Sequence, residues 1–123
     1  TDLEWQTMEM ALGMSDSEAS STNYRGTDQG YQMKSTSGWI STTWANPPIE
    51  GNGSNSSGFT GLPGGQRSNN NGFQNLEFLG YWWTSESGSG TSSWRRQISN
   101  YYVTVHRNVG SWSAGMSARC VQD

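Results

Sequence analysis

The sequence predicts an α+β fold in which one or two N-terminal helices precede a twisted antiparallel sheet with long loops. Three observations lead there: two helix-capping boxes before Ala19, short aromatic or β-branched runs from Trp39 onward, and Gly/Ser/Asn punctuation between those runs. A chain of 123 residues buries about two-thirds of the surface its unfolded form exposes, enough for one core, so a single domain over 1–123 is expected. Hydrophobic residues make up only 31%. The apolar burial must therefore come from seven Trp, five Tyr and three Phe, each able to enclose about 150–250 Å². A small core built around tryptophan follows.

The first helix starts at once. Thr1-Asp2-Leu3-Glu4 has the S/T-x-x-E spacing in which the hydroxyl and the carboxylate satisfy each other's orphan N–H groups. Leu3, Trp5, Met8 and Leu12 recur near helical intervals, and Gly13 supplies the stop. A second box, Ser15-Asp16-Ser17-Glu18, opens a helix of one or two turns, because Ser20-Ser21-Thr22-Asn23 propagate poorly. No helical pattern is visible beyond it. Strands are expected at Gly58-Phe59-Thr60, Gly80 to Ser85, Ser93 to Ile98, Tyr101 to Arg107 and Ala114 to Val121. Leu62-Pro63-Gly64-Gly65 reads as a turn, and 50–58 and 68–72 as ordered surface loops.

The formal charge of −3, with charged residues at 14%, lacks the broad positive field that a phosphate backbone requires, so no nucleic-acid partner is expected. Arg95, Arg96 and Arg107 stand among aromatics and read as local pairs. No apolar run approaches the ~20 residues that span a bilayer, which argues against direct membrane insertion. Thr1 follows no initiator Met or leader, so the chain reads as a processed product or an excerpt from a longer protein. Cys120, the one cysteine, is either a buried thiol or half of a disulfide.

Catalysis finds little support. A Ser–His–acid hydrolase would have to use His106, the single histidine, without a Gly-x-Ser-x-Gly elbow. A glycosidase needs two opposed carboxylates, and Asp28, Glu50, Glu77 and Glu86 read as solvated loop charges with no reason to converge. No catalytic residue, metal ligand or cofactor is therefore assigned.

Thr1 to Leu12, Tyr24-Arg25-Gly26-Thr27-Asp28, Lys34-Ser35-Thr36-Ser37-Gly38-Trp39, Gly58 to Gly65, Gly80-Tyr81-Trp82-Trp83-Thr84-Ser85, Trp94-x-Arg96 and Ser117-Ala118-Arg119-Cys120-Val121 are ordered blocks. Together they resemble the Fibrobacter succinogenes major paralogous domain over nearly the whole chain. The resemblance implies a C-type-lectin-like fold. It also implies an upstream segment carrying a cysteine, which would leave Cys120 without its partner and a sheet edge either exposed or covered by another chain. Formylglycine-generating oxidases resemble that fold too, but their chemistry needs two reactive thiols. Sugar-binding C-type lectins hold Ca²⁺ through an acidic or amide residue on each side of one proline. Asn46-Pro47-Pro48-Ile49-Glu50 matches that pattern poorly, and hard-cation coordination needs about six oxygens; Ca²⁺-dependent sugar binding is the alternative kept here.

Surface recognition remains. Strand alternation sends Trp94, Arg96 and Ile98 to one face and Arg95 and Gln97 to the other. The blocks that match the family include Trp94 and Arg96, so their face is assigned to the core and Arg95 and Gln97 are left exposed. Tyr101, Tyr102, Thr104, His106, Asn108 and Trp112 continue a Tyr/Trp/Arg/Ser-rich strip with the composition of a paratope. The competing reading makes Tyr102 and Trp112 core residues. The expected function is an adhesin-like, non-catalytic domain of a bacterial surface or secreted protein, with a protein or glycan ligand at this strip. Its place on a lectin-like fold suggests a sharper form, a variable protein diversified by a retroelement across 95–113. A structural surface or pilus-associated module without ligand is the other alternative.

Overall fold

Both capping boxes form. In the computed structural model, which describes residues 1–45, 47–70 and 72–120, the Thr1 hydroxyl accepts from the Glu4 N–H at 3.1 Å and the Glu4 carboxylate bonds back to the Thr1 amine. Helix α1 (Asp2–Ala11) follows, and Gly13, at φ +101°, ends it in the left-handed conformation. Its buried stripe differs from the expected one. Trp5, Met8 and Leu12 do pack on the core, but Leu3 is exposed, and Asp2 and Glu9 are buried beside Trp5. The spacing i, i+3, i+7 places Asp2, Trp5 and Glu9 on one stripe, a pattern that counting apolar residues alone misses. Helix α2 (Asp16–Ser20) is a little over one turn, ending at Ser21.

Strand β1 (Asn23–Arg25) and helix α3 (Gln29–Met33) come next. Neither was expected. The α3 helix has no side-chain cap and is held by tertiary contacts: the Tyr31 N–H donates to the Val103 carbonyl at 2.9 Å. Gly30 makes this approach possible, because a Cβ there would lie 2.3 Å from the Thr104 carbonyl oxygen. A two-stranded ribbon, β2 (Gln66–Arg67) with β3 (Phe73–Gln74), precedes the long strands β4 (Leu79–Ser87), β5 (Ser92–Ser99) and β6 (Val105–Ser111).

The main sheet is antiparallel with order β1-β6-β5-β4. Its register lines up Arg25, Val105, Ile98 and Gly80 in one row and Asn23, Arg107, Arg96 and Trp82 in another, and these rows face α1. Two further rows face away: Tyr24, His106, Gln97 and Tyr81, then Asn108, Arg95 and Trp83. The outer edge of β4 is met by the chain itself, through single bridges of Gly80 with Gly65 and of Trp82 with Ser117. The opposite edge, β1, has only three residues.

Several strand expectations need correction. Phe59 is buried, but Gly58 and Thr60 on either side have φ of +71° and +54°, which no strand tolerates. Residues 101–104 form a loop, so the third long strand starts at Val105 instead of Tyr101. From Ala114 onward the chain makes a turn and single bridges at Gly115 and Ser117, and Val121 lies outside the described residues. The 50–58 segment is ordered as expected but not merely superficial, since Gly51 is buried and the Gly53 N–H donates to the Ser35 carbonyl at 2.9 Å.

Met33, Trp39, Phe59, Trp82, Ile98 and Val105 form the core. Trp82 meets Phe59 edge-on at 5.4 Å, and Trp5 lies over both. Beside this cluster sits a buried ionic network. Arg96, fully buried, donates to Asp2 at 2.6 Å and to Glu9 at 2.8 Å; Arg107 donates to Asp2 at 2.7 Å, and Arg25 to Glu9 at 2.6 Å. Burial alone would raise the Asp2 pKa, but the Arg107 and Arg96 guanidinium groups outweigh it and hold the carboxyl at about 2. Arg96 and Arg107 are thus structural. Arg107 also lies 3.8 Å from the Trp94 ring centroid.

Candidate recognition surface

The two outward rows of the sheet carry Arg95, Gln97, His106 and Asn108, half of the expected site. Gln97 donates from its side-chain amide to the Tyr24 hydroxyl at 2.9 Å, and Tyr24 packs against His106 at 4.7 Å and Tyr102 at 4.3 Å. Tyr102 meets Tyr101 edge-on at 5.0 Å, and Tyr101 stacks on Trp44 at 5.5 Å with only 11° between the planes. Gln97, His106, Tyr102 and Tyr101 therefore join one aromatic belt whose other members, Tyr24 and Trp44, sequence reasoning missed. The signal for Trp44 was weak. It is a lone tryptophan in an irregular, proline-flanked segment without alternating neighbours.

Arg95 and Gln97 do point away from the core, but both are half-buried instead of exposed. Arg95 lies 5.2 Å from the Tyr81 ring centroid and donates to Gln97 Oε1 at 3.1 Å. It lines a polar cleft of about 170 Å³ with Gln66, Ser68 and Ser111. Tyr102 and Trp112 are exposed, which overturns the reading that made them core. Trp112 donates to Ser93 Oγ at 2.8 Å. It stands beyond the far end of β6, about 20 Å along the strand from the Tyr101–Tyr102 loop, so it lies apart from the belt, whereas Asn108 sits opposite Arg95 beside the His106 row. Thr104 is half-buried at the start of β6, where its carbonyl meets Gly30.

Burial pushes the His106 pKa down, and the Arg95 and Arg25 charges push it further the same way, so the imidazole is neutral at physiological pH. Its Nδ1 is buried without a partner. Glu86 lies on β4 rather than in a loop and accepts from the Asp2 N–H. Glu50 accepts from Ser41 and Asp28 from Gln32. Among the described residues no three His, Cys, Asp or Glu side chains are grouped to hold a metal ion. Asn46, from the proline loop weighed for Ca²⁺, lies outside the described residues. Cys120 is an exposed free thiol, not a buried one.

Lys34 supports the belt from below. It is buried, has no carboxylate partner among the described residues, and donates to the Ser99 carbonyl at 3.2 Å and the Tyr102 carbonyl at 3.5 Å. Desolvation lowers its pKa to about 8. The unfolded chain, in which lysine titrates near 10.4, therefore binds more protons than the folded one between those values. Stability is expected to rise between about pH 8 and 10 as the buried ammonium loses its charge. Thermal melts across that window should show the rise in the natural sequence and a flatter profile in Lys34→Met.

The fold and site together define a small α+β domain with an ionic inner face and an aromatic, polar outer face. The sequence pattern of the Fibrobacter succinogenes major domain matches residues 1–122, and the chain belongs to that family. No curated protein and no solved structure matches the chain. Among the described residues, no helix is long and apolar enough to cross a membrane.

Proposed function

We propose that this chain is a non-catalytic recognition module of a bacterial surface or secreted protein, built on a lectin-like plan, that binds a protein or glycan through its outer face. One observation carries the reading: the continuous belt Trp44–Tyr101–Tyr102–Tyr24–His106, flanked by Gln97 and Arg95. Tyrosine and tryptophan give large contact area at low entropic cost, and neighbouring amide and guanidinium groups supply directional bonds. The carboxylates nearest the core, Asp2 and Glu9, are committed to arginines, which leaves them no role in acid–base chemistry at this face.

The test is a glycan-array and bacterial-cell binding screen, run with and without chelator, of the natural domain and a Gln97→Ala/Tyr102→Ala/His106→Ala variant. Binding that disappears in the variant, with circular dichroism unchanged, supports the reading. Binding indifferent to the variant moves recognition off this face, and loss on chelation replaces the reading with a Ca²⁺-dependent lectin.

A further inference from the structure

At the end of the belt, Thr42, Trp44, Phe78, Asn100, Tyr101 and Tyr102 line a cleft of about 430 Å³, within the size range of small-ligand sites. We infer that this cleft holds the end of a neutral saccharide, stacked on Trp44. The inference rests on the recognition reading above and narrows it to one ligand class.

Trp44 is 80% exposed, so its indole gains little from burial in this chain. It is nevertheless held parallel to Tyr101, and Thr42 and Ile49 exchange backbone hydrogen bonds at 2.8 and 3.1 Å across the segment that carries it. The result is a flat aromatic platform presented to solvent. One face of a pyranose is a sheet of C–H bonds, which suits the negative face of an aromatic ring.

Polar groups on the floor match hydroxyls. The Asn100 amide gives its N–H groups to the Ile40 carbonyl at 2.9 Å and to Thr42 Oγ1 at 3.2 Å. That leaves Asn100 Oδ1 as an acceptor and the Thr42 hydroxyl proton as a donor, the pairing that adjacent sugar hydroxyls satisfy. None of the lining residues is charged, which favours a neutral ligand over a uronate or an acidic peptide. The Lys34 bonds to the Ser99 and Tyr102 carbonyls fix the loop beneath the cleft, so little ordering remains for the binding step.

The experiment is affinity electrophoresis of the full chain through gels containing β-glucan, xylan or galactomannan, with polygalacturonate as the acidic comparison and a displayed peptide library as a second arm. Retardation by a neutral polysaccharide is expected. Trp44→Ala should weaken it about tenfold or more, Trp44→Phe should restore part of it, and chelator should leave it unchanged. Undiminished binding by Trp44→Ala, retardation by polygalacturonate alone, or a peptide lost with Trp44 overturns the saccharide inference while recognition at the outer face stands. No binding in any arm overturns both.

Discussion

Replacing Arg96 with alanine is expected to lower the free energy of unfolding by about 3–5 kcal/mol, a large share of what a domain of this size has in reserve. The guanidinium is fully buried and bonds both Asp2 and Glu9. Its removal leaves each carboxylate with a single arginine, Arg107 for Asp2 and Arg25 for Glu9. The Coulomb attraction of a buried pair roughly cancels its desolvation, so the loss arises mainly from the buried Glu9 Oε1, whose donor is Arg96 Nε. Equilibrium urea unfolding reads the effect directly. Combining Arg96→Met with Glu9→Leu should cost less than the sum of the two single changes, because both singles lose the same direct Arg96–Glu9 bonds. An additive pair would mean that the network contributes no coupling.

Trp82→Ala is expected to cost about 3–5 kcal/mol as well, by a different route. The indole touches Phe59 and Trp5, and Gly80 makes room for it: a Cβ there would sit 2.3 Å from the ring. Backbone pairing holds this stretch of β4 on both sides, with Arg96 on β5 and with Ser117. The vacated space therefore cannot collapse. Denaturant unfolding should show the loss, with a smaller one for Trp82→Phe and almost none for the exposed Trp44→Ala, since surface changes rarely exceed about 0.5 kcal/mol. A loss for Trp44→Ala comparable to that for Trp82→Ala would refute the assignment of these two tryptophans to opposite roles.

The parts of the fold legible in the sequence are those set by short-range chemistry. Thr1 and Ser15 announce their helices because a capping box is complete within four residues. The inward placement of Arg96 followed from strand period two once its block was recognised. What was hidden depends on distant partners. Helix α3 has a glycine as its second residue and lacks a side-chain cap, and it exists because the 103–104 backbone receives it. Tyr101 and Tyr102 have the composition of a strand, but Lys34 holds the carbonyls of Ser99 and Tyr102, and the Tyr101 N–H bonds to Ser99 Oγ at 3.0 Å. Nothing within the first helix marks Asp2 and Glu9 for burial, which depends on three arginines from other elements. The belt was half visible for the same reason: Gln97 and His106 lie within the C-terminal strip, whereas Trp44 and Tyr24 reach it only through the tertiary fold.

On β5 and β6 the odd and even positions lead separate lives. Arg96, Ile98, Val105 and Arg107 are committed to the interior, and Arg95, Gln97, His106 and Asn108 alternate with them on the far side. Neighbouring positions therefore face different structural demands. A lineage could rewrite the outward alphabet of these strands while inheriting the inward one intact, and the same foldable frame would display a new chemical face with each revision.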